Sequence, residues 1–241
     1  VVRGSRPDSE IASKSLLKMI KYPDPSTGSA SGSPADQESF AYNAQGEVVW
    51  RRGPGVDGQQ TANGTVHEYM YDELGRRTED RATSLGPNVD DSVLRIQTAY
   101  DALDRVTSVR SYDAVTSGNI VNEVRLAYNG FGQVIQSAQE HEGAVDLYTG
   151  PVVYSYSEAE SDPVSRLTFM QYPFGTRRVY VHYDASDGGT DYAKMDWVLV
   201  RPSAVSNSST PGNDRLADYT YQGLSRVVSR LTEDPSTDVT V

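Results

Sequence analysis

The sequence predicts an all-β fold, an antiparallel array of β-hairpin repeats with a period of about 28 residues. A short turn-forming motif recurs along the chain, and its tyrosines at 42, 71, 100 and 128 are separated by 29, 29 and 28 residues. The segments between the motifs alternate apolar and polar residues and show no helical period beyond the first 20 residues. Strands of an antiparallel sheet are therefore favoured over βαβ units.

The spacing inside the motif predicts the tip of a hairpin. An aromatic residue closes a strand, and the Asp or Asn that follows can accept a hydrogen bond from the backbone two residues on. Two more residues complete a type I turn, and Gly in the next position supplies the left-handed conformation that leads into the returning strand. The structural repeat residues predicted in this way are Tyr42, Gly46, Tyr71, Asp72, Gly75, Arg76, Tyr100, Asp101, Asp104, Arg105, Tyr128, Asn129, Gly132, Tyr183, Asp184, Tyr221 and Arg226.

The chain divides into three predicted regions. Residues 1–37 are predicted to be a degenerate N-terminal repeat followed by a flexible loop, because 26–36 is rich in Gly, Ser and Pro. Within this region, residues 11–20 fit either a short helix or a strand that leads into Lys21 and Tyr22. The hairpin array covers 38–231, and 232–241 is a C-terminal tail or the start of a next repeat.

The strands of the array are predicted from their period of two. The clearest alternation runs from 120 to 128, where Ile120, Val124 and Leu126 are predicted to face a buried side and Glu123 the solvent. Tyr156 is interpreted as a copy that has lost its turn, and residues 183–188 as a damaged copy.

The motif Tyr-Asp-x-x-Gly-Arg-x-Thr resembles the YD repeat of the Rhs (rearrangement hot spot) family. It recurs over residues 38–231, and its best matches are at 71–78 and 100–107. The resemblance implies a strip of β-hairpins that spirals into a hollow shell. Members include bacterial Rhs and toxin-complex proteins, whose shells enclose a toxin, and the cell-surface teneurins. It therefore implies an extracellular or cell-surface segment of a longer chain, with toxin cargo as a partner. Regular strands at this spacing also fit a propeller or a sandwich.

Composition restricts the partners. The formal net charge is −11, from 33 acidic and 22 basic residues, which repels nucleic-acid phosphates and anionic lipid. No apolar run reaches the length needed to cross a bilayer, so neither nucleic acid nor membrane insertion is predicted. Sixteen tyrosines stand against 4 Phe and 2 Trp, and this excess suits a thin sheet with much exposed surface.

The residues that could carry chemistry are few. The chain has no cysteine, and none of its three histidines has a second His at metal-ligand spacing. No catalytic residue and no cofactor is therefore predicted. The best metal candidate is a calcium site at Asp184, Asp187 and Asp191, although a degenerate repeat with an insertion explains the same residues better.

These observations predict a structural, non-enzymatic segment that forms a β-sheet shell or a self-assembling fibre. Its partners would be neighbouring repeats of the same chain or copies of itself, since open sheet edges add further strands. The alternative is a carbohydrate-binding or adhesion module that binds glycans through exposed tyrosines. An enzyme ranks last, because no acid–base constellation is visible.

Overall fold

The computed structural model describes residues 8–24, 26–55, 64–157, 165–173, 178–182, 204–206, 215–222 and 226–231. These residues form strands and one short 3-10 turn, Pro34–Asp36, and they include no α-helix. The strands are β1 (Met19–Lys21), β2 (Gln37–Tyr42), β3 (Val48–Arg52), β4 (Val66–Tyr71), β5 (Arg77–Ser84), β6 (Arg95–Tyr100), β7 (Val106–Tyr112), β8 (Ile120–Tyr128), β9 (Val134–Glu140), β10 (Val152–Tyr156), β11 (Leu167–Gln171), β12 (Arg178–His182), β13 (Ala204–Ser206), β14 (Arg215–Gln222) and β15 (Arg226–Leu231). The predicted all-β hairpin array is confirmed. No helix in the described ranges has the length and apolarity to cross a membrane.

The order of the strands in the sheet follows their order in the chain, and neighbours within each unit pair antiparallel. The chain divides into two compact units. The first unit is Val1–Arg125 with Gln139–Asp146, and it contains β1–β7. The second unit is Leu126–Ala138 with Leu147–Val241, and it contains β10–β15. Strands β8 and β9 contribute residues to both.

The connections of the first unit alternate in length. The loops between β2 and β3, β4 and β5, and β6 and β7 each have five residues, at 43–47, 72–76 and 101–105. The loops at the other ends of the strands are longer, such as 85–94 between β5 and β6. The short loops are the predicted hairpin tips.

The apolar core of the first unit is small. Ala41, Trp50 and Val66 form one buried cluster on β2, β3 and β4, with exposed fractions of 0, 3 and 0%. Most other strand residues are half-buried. The repeats are therefore stabilised mainly by pairing and side-chain contacts between adjacent strands.

The N-terminal region departs from prediction. Residues 11–18 form no helix, and the strand interpretation holds only at its end, as β1. The Gly/Ser/Pro stretch 26–36 is more than an exposed loop. Ser31 and Ala35 are buried, and the Ser31 hydroxyl donates to Asp36 Oδ2 at 2.6 Å. The Gln37 side chain also donates to the Ser31 carbonyl at 3.2 Å, so hydrogen bonds hold this stretch against β2.

Candidate functional site

Four hairpin tips share one backbone geometry. We define a tip as the five residues that follow a repeat tyrosine, at 43–47, 72–76, 101–105 and 129–133. In each, the first amide donates to the fifth carbonyl and the fourth amide donates to the first carbonyl, as in a type I turn followed by a bulge. The fourth residue has positive φ: Gly46 86°, Gly75 78°, Asp104 63° and Gly132 82°. Asp104 adopts the conformation that glycine takes elsewhere because Asp tolerates it better than most side chains.

The first residue of two tips is an aspartate that binds the turn with its side chain. Asp72 Oδ1 accepts from the amides of Leu74 and Arg76 at 3.0 Å each, and Oδ2 accepts from Arg76 Nε at 2.7 Å. The hydrogen bond from the Arg76 side chain is the main reason that the pKa of Asp72 lies below its usual value. The carboxylate therefore stabilises the conformation of its own tip.

The tip at 101–105 repeats this arrangement. Asp101 Oδ1 accepts from the Leu103 and Arg105 amides at 2.8 and 3.0 Å, and Oδ2 accepts from Arg105 Nε at 2.7 Å. Burial raises the pKa of Asp101, and the hydrogen bonds from Arg105 and Leu103 more than offset this, so the pKa is lowered.

The other two tips replace the ion pair with a neutral donor. Asn43 Oδ1 accepts from the Gln45 and Glu47 amides, and its Nδ2 donates to Glu47 Oε2 at 2.6 Å. Asn129 likewise donates through Nδ2 to Gln133 Oε1 at 2.7 Å. The first and fifth residues thus change together, Asp with Arg and Asn with Glu or Gln. The sequence predicts that the repeat arginines pair with turn carboxylates or stack on tyrosine, and Arg76 and Arg105 make such pairs. The matching Asn–Glu and Asn–Gln pairs are not predicted, although the five-residue spacing displays them.

A bulge immediately before the repeat tyrosine sets the same register in every repeat whose pairing is described. The pairs are Tyr42↔Val48, Tyr71↔Arg77, Tyr100↔Val106, Tyr156↔Leu167 and Tyr221↔Val227. The partner is the first residue of the returning strand in the first four pairs and the second residue in the last. Arg226 opens β15 and pairs with Gln222. Tyr128 ends β8 and is half-buried. Tyr183 and Asp184 lie outside the described residues.

The hydroxyl of the repeat tyrosine joins its repeat to the preceding one. Tyr71 donates to the Val48 carbonyl at 2.8 Å, and Tyr100 donates to the Arg77 carbonyl at 3.0 Å. The acceptor is the residue paired with the previous repeat tyrosine, so the bond spans one whole hairpin. In the second unit, Tyr156 donates to the Val134 carbonyl at 3.0 Å, the corresponding position after its preceding tip.

The fifth tip residue adds a second link between repeats. Arg76 Nη1 donates to the Asp101 carbonyl at 3.2 Å and to Asp104 Oδ1 at 2.6 Å, and its guanidinium lies 4.8 Å from the centre of the Tyr100 ring. In the second unit, Gln133 Nε2 donates to the Ser165 carbonyl at 2.7 Å. Adjacent tips are therefore bound side by side.

Tyr156 keeps more of its tip than the sequence indicates. The Ser157 amide donates to the Arg166 carbonyl at 2.7 Å, and the Arg166 amide donates to the Ser157 hydroxyl at 2.9 Å. Ser165 has a φ of 51°, which matches the positive φ of the fourth position in the other tips. The copy that was predicted to have lost its turn retains the residues that close one, with 158–164 inserted between them.

The segment before β1 occupies the place of a preceding tip. The Tyr42 hydroxyl donates to the Leu17 carbonyl at 2.6 Å, the same bond that later tyrosines make. Leu16 Cδ1 would lie 3.8 Å from a Cβ on Gly46, much as Glu47 lies against Gly75 in the next tip. The segment carries no tip motif, so its equivalence to a preceding tip rests on these contacts, in the region where the sequence predicts a degenerate repeat.

A polar ladder crosses the first unit on one face of β5–β8. The residues Glu79, Gln97, Arg110 and Glu123 are consecutive cross-strand partners. Glu79 accepts from Gln97 Nε2 at 3.1 Å, and Glu123 accepts from Arg110 Nε at 2.8 Å. The prediction that Glu123 faces solvent is wrong, because its side chain is fully buried. The alternation pattern predicts a solvated charge at this position, whereas the arginines and the backbone amide around Glu123 satisfy its carboxylate.

Every oxygen of Glu123 is occupied. Oε1 accepts from Arg110 and Arg125 at 2.8 Å each, and Oε2 accepts from the Val145 amide at 2.9 Å. Burial raises the pKa of Glu123, and the hydrogen bonds from Arg125, Arg110 and Val145 more than offset it, so the pKa lies below its usual value. The carboxylate ties β7, β8 and the loop that carries Val145.

The residues that could carry catalysis or bind a metal are the histidines and the aspartates of the calcium candidate. His67 Nδ1 lies 2.6 Å from Asp80 Oδ1, and its ring stacks on Tyr69 with centroids 6.1 Å apart. His141 is exposed in a loop. The described residues contain no group of three His, Cys, Asp or Glu side chains placed to hold a metal ion. The calcium candidate Asp184, Asp187 and Asp191 lies outside the described residues.

Neither a protein-family model nor a curated protein matches the chain. The chain is similar to the crystal structure of TcdB2-TccC3-Cdc42, with 13% identity, a TM-score of 0.43 and coverage of 85% of this chain. It is also similar to the Tc holotoxin pore of Photorhabdus luminescens, with 11% identity, a TM-score of 0.35 and coverage of 82%. The chain spans 8% of the length of the first protein and 13% of the second.

Proposed function

We propose that the chain is a non-catalytic structural segment of a larger extracellular protein, in which successive hairpin repeats build the wall of a shell. The observation that carries the proposal is the bond from four repeat tyrosines to the preceding repeat. Tyr42, Tyr71, Tyr100 and Tyr156 all donate to a backbone carbonyl one hairpin earlier. The motif that recurs in the sequence is thus used to hold one repeat on the next within the chain.

The state of the polar residues supports the non-catalytic part of the proposal. A catalytic acid, base or nucleophile needs a free face toward a substrate. The Asp72 and Asp101 carboxylates instead bind their own turns, and the fully buried Glu123 is saturated by three donors. These carboxylates therefore stabilise the fold rather than line a substrate-binding cleft.

A wall is favoured over a fibre by the links that the tips make, because these links join consecutive repeats of one polypeptide. Fibres that grow by strand addition need a long edge strand with free backbone groups. Of the two edge strands, β1 (Met19–Lys21) has three residues and β15 (Arg226–Leu231) has six, so only the β15 edge offers such a strand.

A wall is also favoured over a carbohydrate-binding module. A sugar stacks on an aromatic ring whose face is open. The guanidinium of Arg76 covers the Tyr100 ring, and that of Arg95 lies 3.9 Å from the centre of the Tyr112 ring. These rings are already stacked against cations from the protein itself. By its resemblance to YD repeats, the wall would enclose a cargo such as a toxin.

The test is electron microscopy of the full chain at working concentration, combined with light scattering. We expect discrete, uniform particles without filaments. Long regular filaments would contradict the wall and would indicate that the chain functions by self-assembly. Binding on a glycan array that is lost on Tyr100→Ala, and kept in the control Tyr172→Ala, would instead establish the adhesion module.

A further inference from the structure

The third residue of three of the four tips is a large exposed apolar side chain. In the first unit, Leu74 is 72% exposed and Leu103 is 68% exposed. Phe131 holds the same position in the second unit and is 79% exposed. The mean hydropathy of the chain is −0.55, and singly exposed apolar residues are common on protein surfaces, but here the same position of three tips carries one.

Folding of the tip does not require these leucines. The first tip carries Gln45 at the same position and makes the same backbone and side-chain hydrogen bonds. Type I turns are compatible with most residues at this position. The turn itself therefore gives no reason for an apolar side chain there.

The spacing of the two leucines favours an α-helix over an extended peptide as their binding partner. Their tips are adjacent, since Arg76 of one binds Asp101 and Asp104 of the other. Equivalent points in tips two strands apart are separated by about 9.4–9.8 Å. On an α-helix, side chains seven residues apart lie on one face with a rise of about 10.5 Å. On a strand, residues three apart match the distance at about 10 Å but point to opposite faces, so an extended peptide does not fit.

The charges around the two leucines favour a basic helix over an acidic one. The leucines are flanked by the exposed side chains of Glu73 and Asp104. Asp104 Oδ1 already accepts from Arg76, so its second oxygen faces the solvent, whereas Arg76 and Arg105 are held by the aspartates of their own tips. The whole chain carries a net charge of −11. A second copy of this chain would bring like charge to the contact, and a basic partner would bring opposite charge.

We propose that Leu74 and Leu103 form a docking surface for a basic amphipathic helix of a partner protein, with apolar residues seven positions apart. Each leucine covers one apolar residue of the helix, and Glu73 and Asp104 face its lysines or arginines. Two leucines make a small contact, so binding is transient and depends on ionic strength.

The test is titration of the full chain with a synthetic helix of about 18 residues, built of Ala and Lys with two Leu seven positions apart. We expect saturable binding that weakens roughly tenfold or more in a Leu74→Gln/Leu103→Gln variant. Gln is the residue that the first tip carries naturally, so this variant keeps the turn. The matched control is Leu147→Gln, which removes a 99% exposed leucine from a different loop and leaves binding unchanged.

Two further peptides make the result decisive. Moving one Leu so that the pair is five positions apart places the two on different sides of the helix and should abolish binding. Replacing Lys by Glu should also abolish it. Equal binding of any of these peptides, or no binding of the first, overturns the proposal. Sedimentation of the chain alone that shows a dimer dissolved by Leu74→Gln/Leu103→Gln would assign the surface to a second copy instead.

Discussion

Replacing repeat tyrosines by phenylalanine tests the coupling between repeats directly. The substitution removes one hydroxyl and keeps the ring. A typical intramolecular hydrogen bond contributes about 1 kcal/mol, and more when its loss leaves a buried partner unsatisfied. Tyr42 is 7% exposed and bonds Leu17 at 2.6 Å, so Tyr42→Phe should cost about 1.5 kcal/mol. Tyr100 is half-buried with a 3.0 Å bond that water can replace, so Tyr100→Phe should cost about 0.5 kcal/mol.

The assay is equilibrium unfolding in urea, followed by tryptophan fluorescence. Trp50 is 3% exposed and lies on β3, directly opposite Ala41 and next to the Tyr42 pairing. A Trp197→Phe background makes Trp50 the sole tryptophan, since the chain has two. Far-ultraviolet circular dichroism on the same samples shows whether the sheet unfolds in one transition, as two-state analysis requires.

Tyr172→Phe is the matched control, because Tyr172 is 46% exposed and lies outside the repeat register. We expect it to change the free energy of unfolding by less than about 0.3 kcal/mol. The reasoning is refuted if Tyr42→Phe is no more destabilising than this control, or if Tyr100→Phe costs more than Tyr42→Phe.

Three substitutions and a change of pH probe the tips and the ladder. Gly132→Ala should cost about 1 kcal/mol, because φ is 82° and no atom lies within 4 Å of the new methyl group. Asp104→Gly relieves the strain of a φ of 63° but also removes the ion pair with Arg76, and because each effect is about 1 kcal/mol or less, the urea midpoint should stay nearly unchanged. Glu123→Gln should cost about 2 kcal/mol or more in the same assay, since an amide nitrogen would face donors in a buried site. Asp72 and Asp101 have lowered pKa values when folded, so their stabilisation is complete above about pH 4 and is lost as the pH falls through the folded pKa. The melting temperature should therefore drop below pH 4, and a flat profile would contradict the assigned role.

The tips could be predicted from sequence because their determinants are local. The positive φ at Gly75, and at Asp104 in place of glycine, follows from turn chemistry within five residues. The pairing of Asp72 with Arg76 is equally local, because both residues belong to one turn, and a turn carboxylate is the expected partner of the repeat arginine.

The links between repeats could not be predicted in the same way. The bond from Tyr71 to Val48 spans 23 residues and exists only because a bulge before the tyrosine sets the register. A shift of one residue would turn the hydroxyl to the other face. The burial of Glu123 likewise depends on Arg110 from the next strand and Val145 from a distant loop, which no alternation pattern reports.

The enlarged turn after Tyr156 shows how a repeat array can accept an inserted sequence. Ser157, Ser165 and Arg166 close the hairpin with seven residues, 158–164, placed where other tips have two. The links to the preceding repeat persist beside the insertion, since the Ser165 carbonyl still accepts from Gln133 and the Tyr156 hydroxyl still reaches Val134. One repeat can therefore be lengthened without disturbing the rest. A scaffold of this kind separates the residues under architectural constraint from those that are free to diverge, repeat by repeat.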